Sequence, residues 1–219
     1  MLSLVLVGPQ GAGKGSAAKD LENAYNITHI STGDIFRYHI KNQTELGKKI
    51  KAIVDSGDLV PSELTCEVMN DRIEKDDCNN GFILDGFPRN LEQAQCLDKF
   101  ANIDYVVLLD VPRQVSIDRL SNRRQCKNCN AIYNVKTKPS KKEGVCDACG
   151  GELYQRDDDK PEAIKNRLEI YENETKPILE YYNGKVITIE AVGSITEVNK
   201  KIVDNLNERI EKDGKKHSS

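Results

Sequence analysis

Apolar and polar positions fall in alternating blocks along the 219 residues. Leu2–Val7 is an apolar run, interrupted only by Ser3, that stops at Gly8, the pattern of a strand buried on both faces. From Lys14 to Tyr25 the spacing of Ala17, Ala18 and Leu21 predicts one apolar face of a helix. Further short runs predict strands at 27–30, 82–84, 105–111 and 186–189. Helical spacing predicts helices over 44–55 (closed by Ser56-Gly57), 61–76 (Pro61 in its first turn), 91–100, 112–124 and 195–210. Strands alternating with helices predict an α/β fold, a five-stranded parallel sheet covered by helices on both faces.

One stretch breaks this rhythm. Residues 125–159 have no helical period and carry cysteine pairs, glycines and a lysine-rich run, so they read as a small inserted module. Pro161 then opens a long polar helix to about residue 182, where Asp157, Asp158 and Asp159 are expected to supply the cap. The polar end, 212–219, is expected to lack ordered structure. No run approaches the roughly 18 apolar residues of a membrane span. No basic residue precedes the first apolar run, so it reads as a strand and not an export signal. The expectation is a cytoplasmic, reducing compartment with no membrane partner. There seven cysteines make a poor disulfide framework. Cys66, Cys78 and Cys96 are isolated, whereas Cys126, Cys129, Cys146 and Cys149 cluster.

Charge narrows the function. With 32 basic and 35 acidic residues the formal net charge is −3, which excludes a polybasic nucleic-acid binder and an acidic disordered tail. Only 10 of the 32 basic residues are arginine, so the positions of the arginines are informative.

After the first strand the chain reads Gly8-Pro9-Gln10-Gly11-Ala12-Gly13-Lys14-Gly15-Ser16. Gly-x4-Gly-Lys between a strand and a helix is the spacing of a phosphate-binding loop. Glycines let backbone N–H groups converge on phosphate oxygens without a clashing Cβ, and the helix start adds its positive dipole end. Lys14 would bridge the transferred phosphate. The usual hydroxyl directly after the lysine is displaced by one, from Gly15 to Ser16. Cys126-x2-Cys129-x16-Cys146-x2-Cys149 has zinc-ribbon spacing, with four thiolates for one structural Zn²⁺ and no position left for water. Two disulfides or a bound iron species are the alternatives that the spacing leaves open.

The Lys-Gly-Ser variant of the loop resembles the nucleoside monophosphate kinases, above all the adenylate kinases, and three further motifs follow in the same order. Ser31-Thr32-Gly33-Asp34-Ile35-Phe36-Arg37 resembles the acceptor motif, Asp85-Gly86-Phe87-Pro88-Arg89 the second signature, and the run from Tyr154 to Glu162 the end of the long-form lid. The resemblance implies a P-loop core (1–30, 61–124, 160–219), an NMP-binding module (31–60) and a zinc-binding lid (125–159). It implies an ATP site made by Gly11, Ala12, Gly13, Lys14, Gly15, Ser16, Arg119, Arg123 and Tyr133. It implies an AMP site made by Thr32, Arg37, Asp58, Leu59, Val60, Gly86, Arg89, Gln93, Arg156 and Arg167. Thr32 and Gln93 match the adenine pattern of the acceptor. Asp85 and Ser16 would hold Mg²⁺ through water. Arg119 and Arg123, four apart on one predicted helix, would face the same way. Lys14 with Arg89, Arg123, Arg156 and Arg167 would stabilise the transferring charge. Ion pairing of these arginines with Asp157, Asp158 and Asp159 is the plain alternative. The implied activity is ATP + AMP = 2 ADP by a monomer, with GTP:AMP or other nucleoside monophosphate transfer as the alternative. None of His29, His39 and His217 is expected to act as a base.

Overall fold

The computed structural model describes residues 1–216. Its strands are β1 (Leu2–Val7), β2 (Thr28–Ser31), β3 (Gly81–Asp85), β4 (Tyr105–Asp110), β5 (Arg123–Cys126), β6 (Ile132–Asn134), β7 (Leu153–Tyr154) and β8 (Val186–Glu190). Its helices are α1 (Lys14–Tyr25), α2 (Thr32–Lys41), α3 (Glu45–Ser56), α4 (Ser62–Ile73), α5 (Leu91–Leu97), α6 (Arg113–Ser121), α7 (Pro161–Ile170), α8 (Ile178–Tyr181) and α9 (Ile195–Lys216). Five strands form the parallel sheet that the alternation predicts, in the order β2-β3-β1-β4-β8, and β6-β5-β7 form a small antiparallel sheet.

The strand period of two sorts the core into two layers. Leu4, Leu6, Ile83, Val107 and Leu109 pack with Ala17, Ala18 and Leu21 of α1 and Ile202 and Leu206 of α9. Val5, Val7, Phe82, Leu84 and Val106 pack on the other face with Met69 of α4, Ala94 and Leu97 of α5 and Ile178 of α8. Register fixes which residues end each strand: Val5 lies between Leu84 and Val106, and Ser31 lies beside Asp85. Phe36, Ile50 and Val60 form a separate small cluster that joins α2, α3 and the segment after α3.

Several local expectations are corrected. Residues 32–41 form a helix that the hydrophobic pattern did not single out. Ser31 caps it, its Oγ accepting the Asp34 N–H at 3.3 Å. The helix expected over 112–124 stops at Ser121. Asn122 returns its N–H to Asp118 O, and Arg123 and Arg124 pair with Asn134 and Tyr133 across β5 and β6. Cross-strand pairing thus overrides the helical period there, and Arg119 and Arg123 do not share a helix face. The long helix from Pro161 is interrupted by a wide turn, Tyr171–Thr175, just before Pro177, which has no N–H to continue the ladder. The helix expected over 61–76 ends at Ile73, and a 3₁₀ turn, Asp76–Cys78, follows. Residues 212–216 continue α9 instead of fraying, while 217–219, including His217, lie outside the described residues. Cys66 of α4 and Cys96 of α5, isolated along the sequence, face each other with Cα atoms 6.4 Å apart.

Leu84 is fully buried in the middle strand layer. Leu84→Ala is expected to cost about 2–5 kcal/mol, read as a lower midpoint in denaturant unfolding with an unchanged slope.

Candidate functional site

The site forms at the C-terminal ends of β1, β2 and β3, where open parallel sheets bind their ligands. The loop after β1 turns into α1 at Gly13, and no side chain caps that helix start. The N–H groups of Ser16 and Ala17 both return to Gly13 O, at 3.0 Å each. The open end of α1 is therefore available to an anion. Lys14 folds back over the loop, donating from Nζ to Gly8 O at 2.7 Å and Pro9 O at 3.0 Å. Arg119 lies under the same loop and reaches Gly11 O at 3.3 Å and Ala191 O at 3.1 Å.

Asp85 ends β3 beside β2. His29 of β2 brings its Nε2 within 3.7 Å of the Asp85 carboxylate, longer than a hydrogen bond, and that nitrogen has no hydrogen-bond partner. Burial would push the Asp85 carboxyl up, but His29, Lys14 and Arg89 outweigh it and hold the group below its ordinary value. Asp85 is therefore a carboxylate at neutral pH. His29 stands in no sequence motif; the register pairs it with Ile83, two residues before Asp85 on the same face of the sheet.

A small cavity of about 60 Å³ opens between α2, the end of α3, α4, α5 and α7. Thr32, Arg37, Asp58, Leu59, Val60, Gly86, Arg89, Gln93 and Arg167 all line it, so residues from four separate segments of the sequence meet there. Gln93 is buried, and its Oε1 accepts the Arg89 N–H at 2.8 Å, which leaves its amide nitrogen as the donor toward the cavity. Arg89 is itself oriented by its Nε bond to Gly86 O at 2.8 Å and by Thr175, which donates to Arg89 O at 2.7 Å. Arg37 pairs with Asp34 at 2.6 Å, and its buried Nε has no partner.

The remaining arginines come from the far side. Arg123 grips Asp159 with two bonds, Nε to Oδ2 at 2.7 Å and Nη2 to Oδ1 at 2.5 Å. Arg167 reaches Asp158 at 2.9 Å and Asp159 at 3.2 Å. Arg156 donates to Gln125 Oε1 at 2.6 Å. Asp157, Asp158 and Asp159 therefore do not cap α7: that helix start has no side-chain cap, and Asp158 and Asp159 are turned inward to the arginines. The pairing considered from sequence does occur, but inside the cleft, where Asp159 is 1% exposed. Gln125 was missed as a site residue because it stands in no motif, and Asp159, inside the lid-end motif, was expected mainly as a helix cap; only the fold brings them to Arg156 and Arg123.

These cations repel one another in a dry space. Burial, with Arg89, Arg167 and Arg123 nearby, pulls Lys14 down to about 8, against the attraction of Asp85. Burial, then Arg37 and Arg123, pull Arg156 down to about 9. Burial pulls Arg167 down to about 10, with Arg123 and Arg89 adding to the effect. Burial is the largest cause in each case, and the neighbouring cations add to it. Such a site favours a polyanion.

The four clustered cysteines lie within 4.8 Å of one another at their sulfurs, and none is in a disulfide. The Cys126–Cys149 and Cys129–Cys146 sulfur separations are 3.4 and 3.6 Å. A tetrahedral ion with metal–sulfur bonds of about 2.3 Å spaces its sulfurs at roughly 3.8 Å, so the set fits one metal ion. The Asn128 N–H points at Cys126 Sγ (3.4 Å), and the Tyr133 hydroxyl lies 3.4 Å from Cys146 Sγ. The Tyr133 hydroxyl, with the N–H groups of Cys149 and Ala148, outweighs burial and draws the Cys146 thiol down to about 6, while against the Gly151 N–H the Cys129 and Cys126 sulfurs push Cys149 up to about 12, so the four thiols hold their protons unevenly. Tyr133 is buried in this cluster and also accepts the Asp147 N–H at 2.8 Å. The expectation that it contacts ATP is corrected: β-strand alternation turns it into the module's core and leaves Ile132 exposed.

The depressed Lys14 value gives a direct test. Lys14 carries its charge below about 8 and loses it above. Affinity for inorganic triphosphate, measured by calorimetry, is expected to fall as pH rises through that value. The fall should vanish in Lys14→Met; an equal fall in both proteins would refute the assignment.

An adenylate kinase family model matches residues 6–187. An adenylate kinase of Caldicellulosiruptor bescii is 51% identical over 197 residues, covering 88% of this chain and 92% of its own. Those of Alkaliphilus oremlandii and Streptomyces avermitilis are each 49% identical, over 212 and 213 residues, covering 94% of this chain and 98% and 97% of their own. Similarity of this extent, over a chain whose four motifs converge on one cleft, makes this chain a member of the adenylate kinase family.

Proposed function

We propose that the chain transfers the γ-phosphoryl group of ATP to AMP, reversibly, giving two ADP. The observation that carries this reading is the junction of two spaces: the uncapped start of α1 with Lys14, and the cavity that ends at Gln93, with buried arginines between them. One polyphosphate and one monophosphate nucleotide suit that arrangement.

In this reading an oxygen of the AMP phosphate attacks the γ-phosphorus in line, and the bond to the β–γ bridging oxygen breaks. The attacking phosphate is already ionised, so no general base is required, and the histidines have no proton to remove. Catalysis then comes from positioning and charge compensation. Lys14 exchanges its loop carbonyls for the β- and γ-phosphates. Arg37 and Arg89 hold the acceptor phosphate, Arg123, Arg156 and Arg167 neutralise the transferring group, and Arg119 supports the donor base. Gln93 and Thr32 read the acceptor adenine, with backbone of Asp58, Leu59 and Val60 beside it. Mg²⁺, bound with ATP, would spread the charge of the β- and γ-phosphates, and Asp85 and Ser16 are the groups suited to hold it through water. Asp85 supports this as an ionised carboxylate beside Lys14.

The proposed units are a core (1–30, 61–124, 160–219), an acceptor module (31–60) and a lid (125–159). Lys41 of the second donates to Lys127 O of the third at 2.9 Å, which supports an arrangement closed against water. Zn²⁺ is the metal best suited to the four thiolates, with a structural role, because a module this small has too little core of its own. A monomer is proposed as the active unit. The nucleotide pools this reaction needs are those of the cytoplasm. No helix among the described residues is long and apolar enough to cross a membrane.

A coupled ADP-formation assay tests the function. Turnover is expected with ATP plus AMP, with far less when CMP replaces AMP, and GTP in place of ATP measures the donor preference. Lys14→Ala should lower turnover roughly 100-fold or more. Absence of turnover with any nucleotide pair would overturn the proposal. Cys146→Ser is expected to lower both the melting temperature and the zinc found by elemental analysis. A wild-type protein without zinc, and a variant that melts at the same temperature, would overturn the metal assignment.

A further inference from the structure

The end of α3 meets α7 in a contact that the phosphate chemistry does not explain. Asn166, one residue before Arg167, donates from Nδ2 to Asp58 Oδ1 at 2.6 Å and to Ser56 O at 3.3 Å. Ser56 holds the other carboxylate oxygen, its Oγ donating to Asp58 Oδ2 at 2.7 Å. Between these two residues Gly57 takes a left-handed turn, φ +81°. A Cβ there would lie 2.7 Å from Arg167 Cγ and 3.0 Å from Ala163 O, so only glycine allows the approach. A directional bond and a close steric fit thus act at the same place.

The geometry points to Asn166 as a positioning residue for the acceptor side: through Asp58 and the Ser56 carbonyl it holds the end of α3 on α7, beside Arg167. This rests on the phosphoryl-transfer reading above, in which residues 31–60 close over AMP. The Ser56-Gly57-Asp58 turn leads directly into Leu59 and Val60 of the cavity wall, and Arg167 lines the same cavity. Any bond made only when α3 is seated raises the fraction of molecules competent to hold AMP. Its loss should therefore appear in the acceptor's apparent affinity and spare the donor's, because the ATP phosphates rest on the loop after β1, away from this contact. It should not slow the chemistry once AMP is saturating, since Asn166 touches no reacting atom.

Asn166→Ala in the full chain is expected to raise KM for AMP roughly two- to fivefold, the effect of losing hydrogen bonds to an exposed carboxylate and a carbonyl. KM for ATP should stay within about twofold, kcat should not fall, and the melting temperature should not change. Asn166→Asp sets two carboxylates face to face and should raise KM for AMP further. The exchanged pair, Asp58→Asn with Asn166→Asp, again has one donor facing one acceptor between the two side chains but cannot restore the bond to Ser56 O, and should recover part of the loss seen in Asn166→Asp. Equal effects on both substrates, a lowered kcat with a lowered melting temperature, or no recovery in the exchanged pair would overturn the proposal. Hydrogen exchange separates its failure from that of the function. In Asn166→Ala the amides of Gly57 and Asp58 should exchange faster while those of α1 do not, whether or not the wild type uses AMP. Unchanged exchange at the end of α3 would refute the latch on its own.

Discussion

Repulsion between like charges in a space with little water is the constraint around which this molecule is arranged. Lys14, Arg89, Arg156 and Arg167 are each harder to charge than usual, through burial first and then through neighbouring guanidinium groups, those of Arg37 and Arg123 among them. A chain of ordinary stability, about 5–15 kcal/mol, holds them so only if the surrounding scaffold is rigid and each group has some local partner. The two-layered core provides the rigidity: β1 and β3, buried on both faces, deliver Lys14 and Asp85 to the same edge. Carbonyls of the loop, Gly86 O, Gln125 and the carboxylates Asp34, Asp158 and Asp159 provide the partners.

The two insertions have different physical means of support. Residues around α2 and α3 enclose a small apolar cluster, Phe36, Ile50 and Val60. The β5–β7 module has little more than Tyr133, Cys126 and Cys146 buried, with Ala131 and Leu153 against them, and its short strands cannot bury much surface. Four converging sulfurs compensate for that small core. The lysines of this module stay outside: Lys136 pairs with Asp118 and Lys127 with Glu152, both in exposed positions.

What could be read in the sequence, and what could not, divides along a physical line. The sheet was legible because its strands are continuous apolar runs, and the phosphate loop because glycine spacing reports backbone geometry directly. Family motifs named the arginines, and the cavity gathers several of them from distant segments. The misses arise where tertiary contacts override local pattern. Arg123 looks helical until β6 is present to pair with it. Asp158 and Asp159 look like helix caps until Arg123 and Arg167 arrive from other elements. Tyr133 cannot be assigned to one side of the lid from a three-residue strand. Cys66 and Cys96, thirty residues apart, become neighbours only when α4 packs on α5. Asn166 is an unremarkable polar residue in the sequence; its role emerges from a turn more than a hundred residues away.

The Arg123–Asp159 and Arg167–Asp158 pairs have a consequence for how a nucleotide enters. These guanidinium groups hold internal anions, so an arriving phosphate takes a place occupied by a carboxylate and does not simply discharge a bare cation. Binding is then an exchange of counterions within the protein, with fewer ions released to the solvent than the number of arginines implies. The affinity of such a cleft should respond weakly to ionic strength. Departure of product is assisted as well, because the displaced carboxylates remain tethered beside the arginines and reclaim them as the phosphates leave.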